Sequence, residues 1–115
     1  MKAYTDLEQS KKLAEILPLE SADMKFPYFG DGQYGETARF GEPIEFSGGK
    51  DVPCWSLAAL LEVLNIPALT QNNDDDWDVV INYPKYPYEY IEVHGPNPVD
   101  ACVEMILKLK EKDLL

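Results

Sequence analysis

Two side chains of this sequence have the reactivity that catalysis needs, the thiol of Cys54 and the imidazole of His94. The sequence predicts Cys54 in the first turn of a helix, where the dipole can lower the pKa of a thiol. A nucleophilic thiol also needs a general base. His94 is the only histidine and ends a predicted strand, and the sequence does not place it beside Cys54. Because Cys54 shares a helix face with Leu57, we expect burial as a small apolar side chain rather than catalysis.

The acidic segment at residues 72–76 has the spacing of a calcium-binding loop. Asn72, Asp74 and Asp76 match the first three ligand positions of such a loop. The sixth position, which requires glycine, is Trp77, and the twelfth, which requires glutamate, is Tyr83. We therefore expect a solvated loop, and a weak divalent-cation site in this segment stays open as the alternative.

Two glycine-containing segments resemble nucleotide-binding motifs but lack essential parts of them. Gly30, Gly32 and Gly35 fit the dinucleotide pattern G-x-G-x-x-G, which requires a following helix to bind the pyrophosphate. Gly41 and Pro43 follow closely, so we predict a glycine-rich turn instead. Residues 49–51 resemble the end of a P-loop, yet the first glycine and the Ser or Thr of that motif are absent. We assign no cofactor, no metal ligand and no catalytic residue.

Tyrosines are concentrated in one short segment of the chain. Four of the seven tyrosines lie within eight residues, at Tyr83, Tyr86, Tyr88 and Tyr90. In a regular strand, Tyr88 and Tyr90 point away from the apolar side chains that alternate with them. Tyrosine pairs stabilise sheets across strands, and tyrosine is also enriched at protein interfaces. We predict that these four residues form an interaction patch, with simple sheet stabilisation as the alternative.

The hydrophobic pattern predicts an amphipathic helix near each end of the chain. The first begins at a capping box with Thr5 as N-cap and Glu8 three residues later, and it ends near Leu17. The last begins at Asn97, with Pro98 in its first turn. Its predicted buried stripe consists of Val99, Cys102, Val103, Ile106 and Leu109.

A third helix is expected in the middle of the chain. It is predicted to begin at Pro53, with Asp51 near enough to cap it, and to reach Leu64. Its residues are apolar on nearly every side, which is typical of a central helix. We expect burial of all four of its regularly spaced leucines, Leu57, Leu60, Leu61 and Leu64.

Strands are expected between the helices. Residues 77–83 alternate between apolar and polar side chains, and residues 88–94 return after a proline-containing turn, which predicts a hairpin. Residues 24–29 and 38–46 form a less regular pair. The expected fold is α+β over a single domain, residues 1–115, in the order α-ββ-α-ββ-α. One mainly antiparallel sheet would carry the helices on one side.

The charge distribution excludes one large class of functions. The net charge is −11, and residues 13–107 alone carry four basic and seventeen acidic side chains, a balance of −13. Binding to nucleic acid through phosphates requires clustered Lys and Arg, so we expect no direct contact with DNA or RNA.

No apolar run approaches the length of a membrane span, and the N-terminus has no apolar leader segment. We expect a cytoplasmic protein with no membrane contact, whose two cysteines are reduced.

Three segments of the sequence look familiar. Residues 52–64 (VPCWSLAALLEVL), residues 97–109 (NPVDACVEMILKL) and residues 13–24 (LAEILPLESADM) are the segments concerned. They resemble small uncharacterised proteins from phage and mobile-element regions of anaerobic gut bacteria. That family has no assigned activity, so the resemblance implies a phage-linked accessory role and supplies no functional residues.

The function that these patterns favour is a small acidic, non-enzymatic protein-interaction protein whose partner is another protein or a second copy of the chain. One alternative is a small enzyme or ligand-binding domain that uses Cys54, His94 or the acidic loop at 72–76. The other is a nucleic-acid mimic, whose acidic surface inhibits a basic DNA-binding partner. An enzyme needs a concave pocket with convergent polar groups, whereas an interaction protein needs an exposed patch.

Overall fold

Three α-helices and ten short strands make up the part of the chain that the structure describes. The computed structural model describes residues 2–46, 49–65, 70–71, 76–83 and 86–113, with the backbone alone at 45–46, 70–71, 80–83 and 86–90. The helices are α1 (Leu7–Ala14), α2 (Leu57–Leu64) and α3 (Pro98–Glu111), and a 3₁₀ turn spans Leu19–Ser21. The strands are β1 (Met24–Phe26), β2 (Tyr28–Gly30), β3 (Gln33–Tyr34), β4 (Arg39–Phe40), β5 (Glu45–Phe46), β6 (Gly49–Lys50), β7 (Val52–Cys54), β8 (Thr70–Gln71), β9 (Trp77–Tyr83) and β10 (Tyr86–Gly95). The expected α+β fold class is confirmed.

Every strand pairing among the described residues is antiparallel, as the hairpin patterns predict. β9 lies between β10 and β8, and β1 lies between β4 and β7. Two further ribbons, β2 with β3 and β5 with β6, stand by themselves. The described strands are therefore divided among four small sheets; the antiparallel pairing is as expected, but these strands do not form the single sheet that was expected.

The N-terminal strands are short because proline and glycine interrupt them. Pro27 separates β1 from β2, and proline has no N–H to donate to a sheet. Gly30 and Gly32 have φ angles of 99° and 75°, a region that glycine adopts with little strain. They reverse the chain between β2 and β3, so the segment is a glycine-rich turn, as predicted.

The N-cap of helix α1 lies one residue later than predicted. The N-cap is Asp6, whose carboxylate accepts the N–H of Gln9, while the Gln9 side chain accepts the N–H of Asp6. Thr5 is instead buried, and its hydroxyl contacts the hydroxyl of Ser10 at 2.7 Å and accepts the N–H of Trp55 at 3.2 Å. The Thr5 cap is wrong because a contact with a distant segment uses that hydroxyl. The helix also ends at Ala14, three residues before the predicted end.

Helix α2 begins four residues later than predicted. Val52–Cys54 is strand β7, and Pro53 lies opposite Lys25 of β1 rather than in a first helical turn. The N-cap is Ser56, whose hydroxyl accepts the N–H of Ala59 at 3.2 Å. Because β7 is an edge strand of its sheet, a proline fits there. The prediction of an earlier helix start was wrong because β1, about 28 residues earlier in the chain, pairs with Val52–Cys54.

Asp51 has a different task from the predicted helix cap. Only 2% of its surface is exposed, and its carboxylate accepts the N–H of Tyr28 at 2.8 Å and the N–H of Ile44 at 2.9 Å. Lys25 lies 3.5 Å from the same carboxylate. Asp51 thus links three parts of the fold: β1, β2 and the segment before β5.

Helix α3 has the expected beginning and the expected buried stripe. Asn97 is the N-cap and accepts the N–H of Asp100, and Pro98 occupies the first turn. Lys108 and Lys110 lie in the last turn, where the helix dipole favours positive charge. The five residues of the predicted stripe are all buried, together with Ala101 and Met105.

Two separate groups of buried side chains hold these elements together. The larger group joins α1, α2, α3, β9 and β10 around Trp55, Leu60 and Met105. The smaller group consists of Met24 and Phe26 of β1, Val52 and Cys54 of β7, and Ala38 just before β4. Among the four α2 leucines, Leu60 and Leu64 are buried, whereas Leu57 and Leu61 are only partly covered. No helix in the described part of the chain is long and apolar enough to cross a membrane.

Candidate functional site

The environment of Cys54 is that of a structural thiol. Cys54 has no exposed surface, and its Sγ lies 3.3 Å from the carbonyl oxygen of Thr5. It lies at the end of strand β7, before the N-cap of α2, and not in the first turn of a helix as predicted. Burial raises the pKa of the thiol, and hydrogen bonds from Thr5 and Ser10 only partly oppose that effect. These features disfavour the thiolate that a nucleophile requires.

Cys102 is still less suited to chemistry. It is fully buried on α3, as the sequence predicts, and burial raises the pKa of its thiol to about 12. Both cysteines are free thiols. The described partners of His94 are Asp78 of β9 and Glu92 of β10, and neither is a cysteine. The pairing of Cys54 with His94 that a thiol-dependent enzyme needs is therefore not supported.

His94 instead belongs to a small polar cluster on the β9–β10 hairpin. The strand register places His94 directly opposite Asp78, and its Nδ1 hydrogen-bonds to the Asp78 carboxylate. Glu92 lies two residues earlier on the same face of β10, with its Oε1 3.6 Å from the Nε2 of His94. One ligand atom from each of the three side chains lies within 4.8 Å of the others. We call these three residues the His94 cluster.

The electrostatics of the His94 cluster are strongly negative. The hydrogen bond to the Asp78 carboxylate raises the pKa of His94, desolvation opposes that effect, and the charges of Asp78, Glu92 and Asp76 raise the pKa further. Asp76 is the last residue of the acidic segment singled out in the sequence, and residues 72–75 lie outside the described part of the chain. The imidazole side chain is 55% exposed, so the cluster is open to solvent.

Two of the three residues of the His94 cluster can be placed together from the sequence alone. Glu92 and His94 are two residues apart in a predicted strand, which places them on one face. Asp78 joins them only when the hairpin register is known, because a shift by one residue would turn it to the opposite face. A shallow groove of about 390 Å³ adjoins the cluster, and Asp100, Glu104 and Lys108 of α3 line its other side.

The predicted tyrosine patch stays a prediction. Tyr83, Tyr86 and Tyr90 are paired positions of the hairpin, but the side chains of all four tyrosines, including Tyr88, lie outside the described residues. The register shifts between Tyr86 and Tyr90, so strict alternation does not extend back to Tyr86. The neighbouring positions follow the expected pattern: Ile91 and Val93 are buried, and Glu92 and His94 are exposed.

A second surface of interest is apolar and lies in the N-terminal half. Four large apolar side chains are more than a third exposed among the residues with described side chains, and all four fall within residues 19–44. They are Leu19 (54%), Ile44 (50%), Phe29 (67%) and Phe40 (75%). No comparable exposed apolar side chain occurs on the described parts of α2, β9, β10 or α3.

Two of these side chains form the walls of a groove. Leu19 and Ile44 line a depression of about 300 Å³, together with Pro43 and Pro53. Leu17 and Trp55, both buried, line the same depression. We call this depression the apolar groove. Lys50 is its one exposed basic side chain among the described lining residues.

Comparison with known proteins adds no assignment: no family model, no curated protein and no solved structure matches this chain.

Proposed function

We propose that this chain is a non-enzymatic protein-interaction protein that binds a basic partner protein through the apolar groove. The observation that carries the proposal is the concentration of exposed apolar side chains within residues 19–44. Single exposed apolar residues are ordinary on soluble proteins. Several in one short segment, two of them lining the same depression, are typical of a surface that another protein covers.

The geometry of the apolar groove suits side chains of a partner. Its volume of about 300 Å³ has room for one or two apolar side chains. Trp55 is held in place by a hydrogen bond from its Nε1 to the Ser21 hydroxyl at 3.0 Å, so this part of the lining is rigid. A preformed, rigid pocket reduces the ordering cost of binding.

Charge defines the chemistry of the partner. Residues 19–44, which contain the exposed apolar side chains, hold five acidic and two basic residues, a balance of −3. Lys50, which lines the groove, adds one positive charge and leaves the balance at −2. Glu20 and Glu42 are exposed and adjacent in sequence to Leu19 and Pro43 of the groove. A partner with Lys or Arg around an apolar anchor would gain complementary charge here, and the net charge of −11 would speed the encounter.

The environment of Cys54 also supports a non-enzymatic role, since this thiol is fully buried and its Sγ contacts the hydroxyl and carbonyl oxygens of Thr5. The phage-linked accessory role implied by the sequence resemblance fits the same proposal. A nucleic-acid mimic would be the special case in which the basic partner is a DNA-binding protein.

The test compares wild-type protein with a Leu19→Ser, Ile44→Ser variant. Proteins that co-purify with each tagged form from the native host identify candidates, and the best candidate is then purified and its affinity measured directly. Both side chains are half exposed, so the variant should fold normally. We expect at least a tenfold loss of affinity, and weaker binding by the wild type as salt rises.

Lys110→Ser is the matched control, because Lys110 is exposed and lies on α3, away from the groove residues. It should leave the affinity unchanged. Equal binding by the groove variant and the wild type would contradict the proposal. Binding that strengthens with salt would contradict the basic character of the partner.

A further inference from the structure

We propose that the His94 cluster is a binding site for a zinc ion, in which His94 and Glu92 are the protein ligands and Asp78 orients the imidazole. This site is independent of the apolar groove, so either proposal can fail without the other. The argument rests on the donor atoms, on the distances between them and on the strand register that fixes them.

The donor set favours zinc over calcium and magnesium. Imidazole nitrogen with carboxylate oxygen is a ligand combination that suits zinc. Calcium and magnesium prefer oxygen ligands alone. The His94 nitrogen therefore gives this site a different ion preference from the acidic segment at residues 72–76, whose side chains offer only oxygen ligands.

The distance between the two proposed ligand atoms accommodates an ion. The Nε2 of His94 and the Oε1 of Glu92 are 3.6 Å apart. Zinc bonds of about 2.1 Å to both atoms would enclose an angle of about 120°, close to the tetrahedral value. Water would complete the coordination, because the His94 side chain is 55% exposed and the Glu92 side chain 37% exposed.

Asp78 has the position of an outer-shell partner. A metal-bound histidine usually donates its other ring N–H to a carboxylate, which fixes the tautomer and the ring orientation. Here Nδ1 lies against the Asp78 carboxylate, so an Nδ1–H would donate to it and leave the lone pair of Nε2 facing Glu92. The Asp78 side chain is the least exposed of the three, at 20%.

The backbone holds the three side chains in place. Asp78 and His94 are cross-strand partners, and the adjacent pair Val79 and Val93 is buried against the core. Gly95 continues β10 with no room for a side chain, because a Cβ there would lie 2.7 Å from the backbone nitrogen of Ala101. The end of the hairpin is thus fixed against α3, and a site on a fixed pair of strands needs little ordering when it binds an ion.

The experiment is a calorimetric titration of the full chain with zinc. We expect one ion per chain and at least a tenfold weaker dissociation constant for His94→Gln and for Glu92→Gln. Asp78→Asn should weaken binding by about 10- to 100-fold, the usual effect of losing an outer-shell partner. Excess calcium should not displace zinc.

Glu104→Gln is the matched control, since Glu104 is an exposed carboxylate of α3 in the adjoining groove and forms no part of the cluster. It should bind zinc as the wild type does. Circular dichroism of each variant establishes that it is folded. If Glu104→Gln lost as much zinc affinity as the cluster variants, or if His94→Gln kept the wild-type affinity, zinc would be attracted to the acidic surface in general. Either result would overturn the proposal.

A second readout does not depend on any variant. His94 is the only histidine, so its ring ¹⁵N signals in the nuclear magnetic resonance spectrum need no assignment by mutation. We expect zinc to shift the Nε2 signal while Nδ1 stays protonated. Unchanged ring signals at a zinc concentration of about 1 mM would contradict the proposal. They would mean a dissociation constant above about 1 mM, which corresponds to a binding free energy weaker than about −4 kcal/mol.

Discussion

At the scale of single residues, the polar side chains with buried roles are those that join distant segments. Thr5 was expected to cap a helix and instead contacts Ser10 and Trp55. Asp51 was expected to cap another and instead accepts two backbone N–H groups from β2 and from the segment before β5. Both residues lie in a sequence motif typical of a helix cap. In the structure, each side chain instead accepts a backbone N–H from a distant segment, Trp55 for Thr5 and Tyr28 for Asp51.

Asp51→Ala should destabilise the fold by about 3 kcal/mol. The substitution leaves the N–H groups of Tyr28 and Ile44 without their acceptor, and an unsatisfied buried donor costs about 1–3 kcal/mol. Denaturant unfolding measures the loss. Glu36→Ala, at an exposed position, should change the stability by less than about 0.5 kcal/mol.

The same carboxylate gives a pH dependence. Burial opposes ionisation of Asp51, but the N–H groups of Tyr28 and Ile44 and the charge of Lys25 outweigh it and hold its pKa below the ordinary value of 3.8. A carboxylate whose pKa is lower in the folded state than in the unfolded state stabilises the fold at pH values above the unfolded-state pKa. That stability is lost as the pH falls through the folded-state pKa. Wild-type protein should therefore lose more stability than Asp51→Ala between pH 5 and the acid limit. Parallel pH profiles would contradict this role.

Cys54 should react slowly with a thiol reagent in the native protein. Its Sγ is fully buried and its pKa is raised, mainly by burial, so little accessible thiolate exists near neutral pH. Kinetics of labelling with and without denaturant measure the effect, and denaturant should accelerate the reaction. Rapid alkylation of the folded chain would restore the enzyme interpretation.

At the scale of elements, helix α2 was predicted correctly as a helix, but its predicted first residue was wrong. Its leucine spacing predicted a central helix, and Leu60 and Leu64 are buried in the larger core. Its start failed because Val52–Cys54 pairs with β1 instead. Helix α3 was predicted with its cap and its stripe, since its signals, Asn97, Pro98 and the apolar spacing, are all local.

Leu60→Ala should cost on the order of 2–5 kcal/mol, because Leu60 has no exposed surface and its removal leaves a cavity. Leu61→Ala should cost less, since Leu61 is only partly buried. Denaturant unfolding of both variants gives the comparison. A larger loss for Leu61 than for Leu60 would contradict the orientation of α2.

At the scale of the whole molecule, the net charge of −11 governs association between copies. Repulsion between acidic chains opposes a homodimer at low salt, and screening by salt weakens that repulsion. If the predicted tyrosine patch joins two copies, the dimer should tighten as salt rises. Binding of the basic partner proposed above has the opposite salt dependence, so the two kinds of association are distinguishable.

A Tyr88→Ser, Tyr90→Ser variant tests the tyrosine patch. Sedimentation across a range of salt concentrations should show weaker self-association for the variant than for the wild type, because exposed tyrosines contribute strongly to interfaces. Tyr4→Ser is no suitable control, as the Tyr4 ring packs on Phe26. Lys110→Ser serves instead. Unfolding of the double variant as a monomer would show that these tyrosines stabilise the sheet.

The sequence by itself determined the fold class, the existence of the three helices, the β9–β10 hairpin and the acidity, because each depends on local patterns or on composition. It also singled out His94 and Cys54 as chemically interesting residues. Only the tertiary structure decided the division into four small sheets, the capping residues of α1 and α2 and the burial of Cys54. It likewise decided the meeting of Asp78 with His94 and of Leu19 with Ile44. The physical reason is the same throughout: these outcomes depend on strand register and on contacts between segments far apart in the chain, and a local pattern does not specify either.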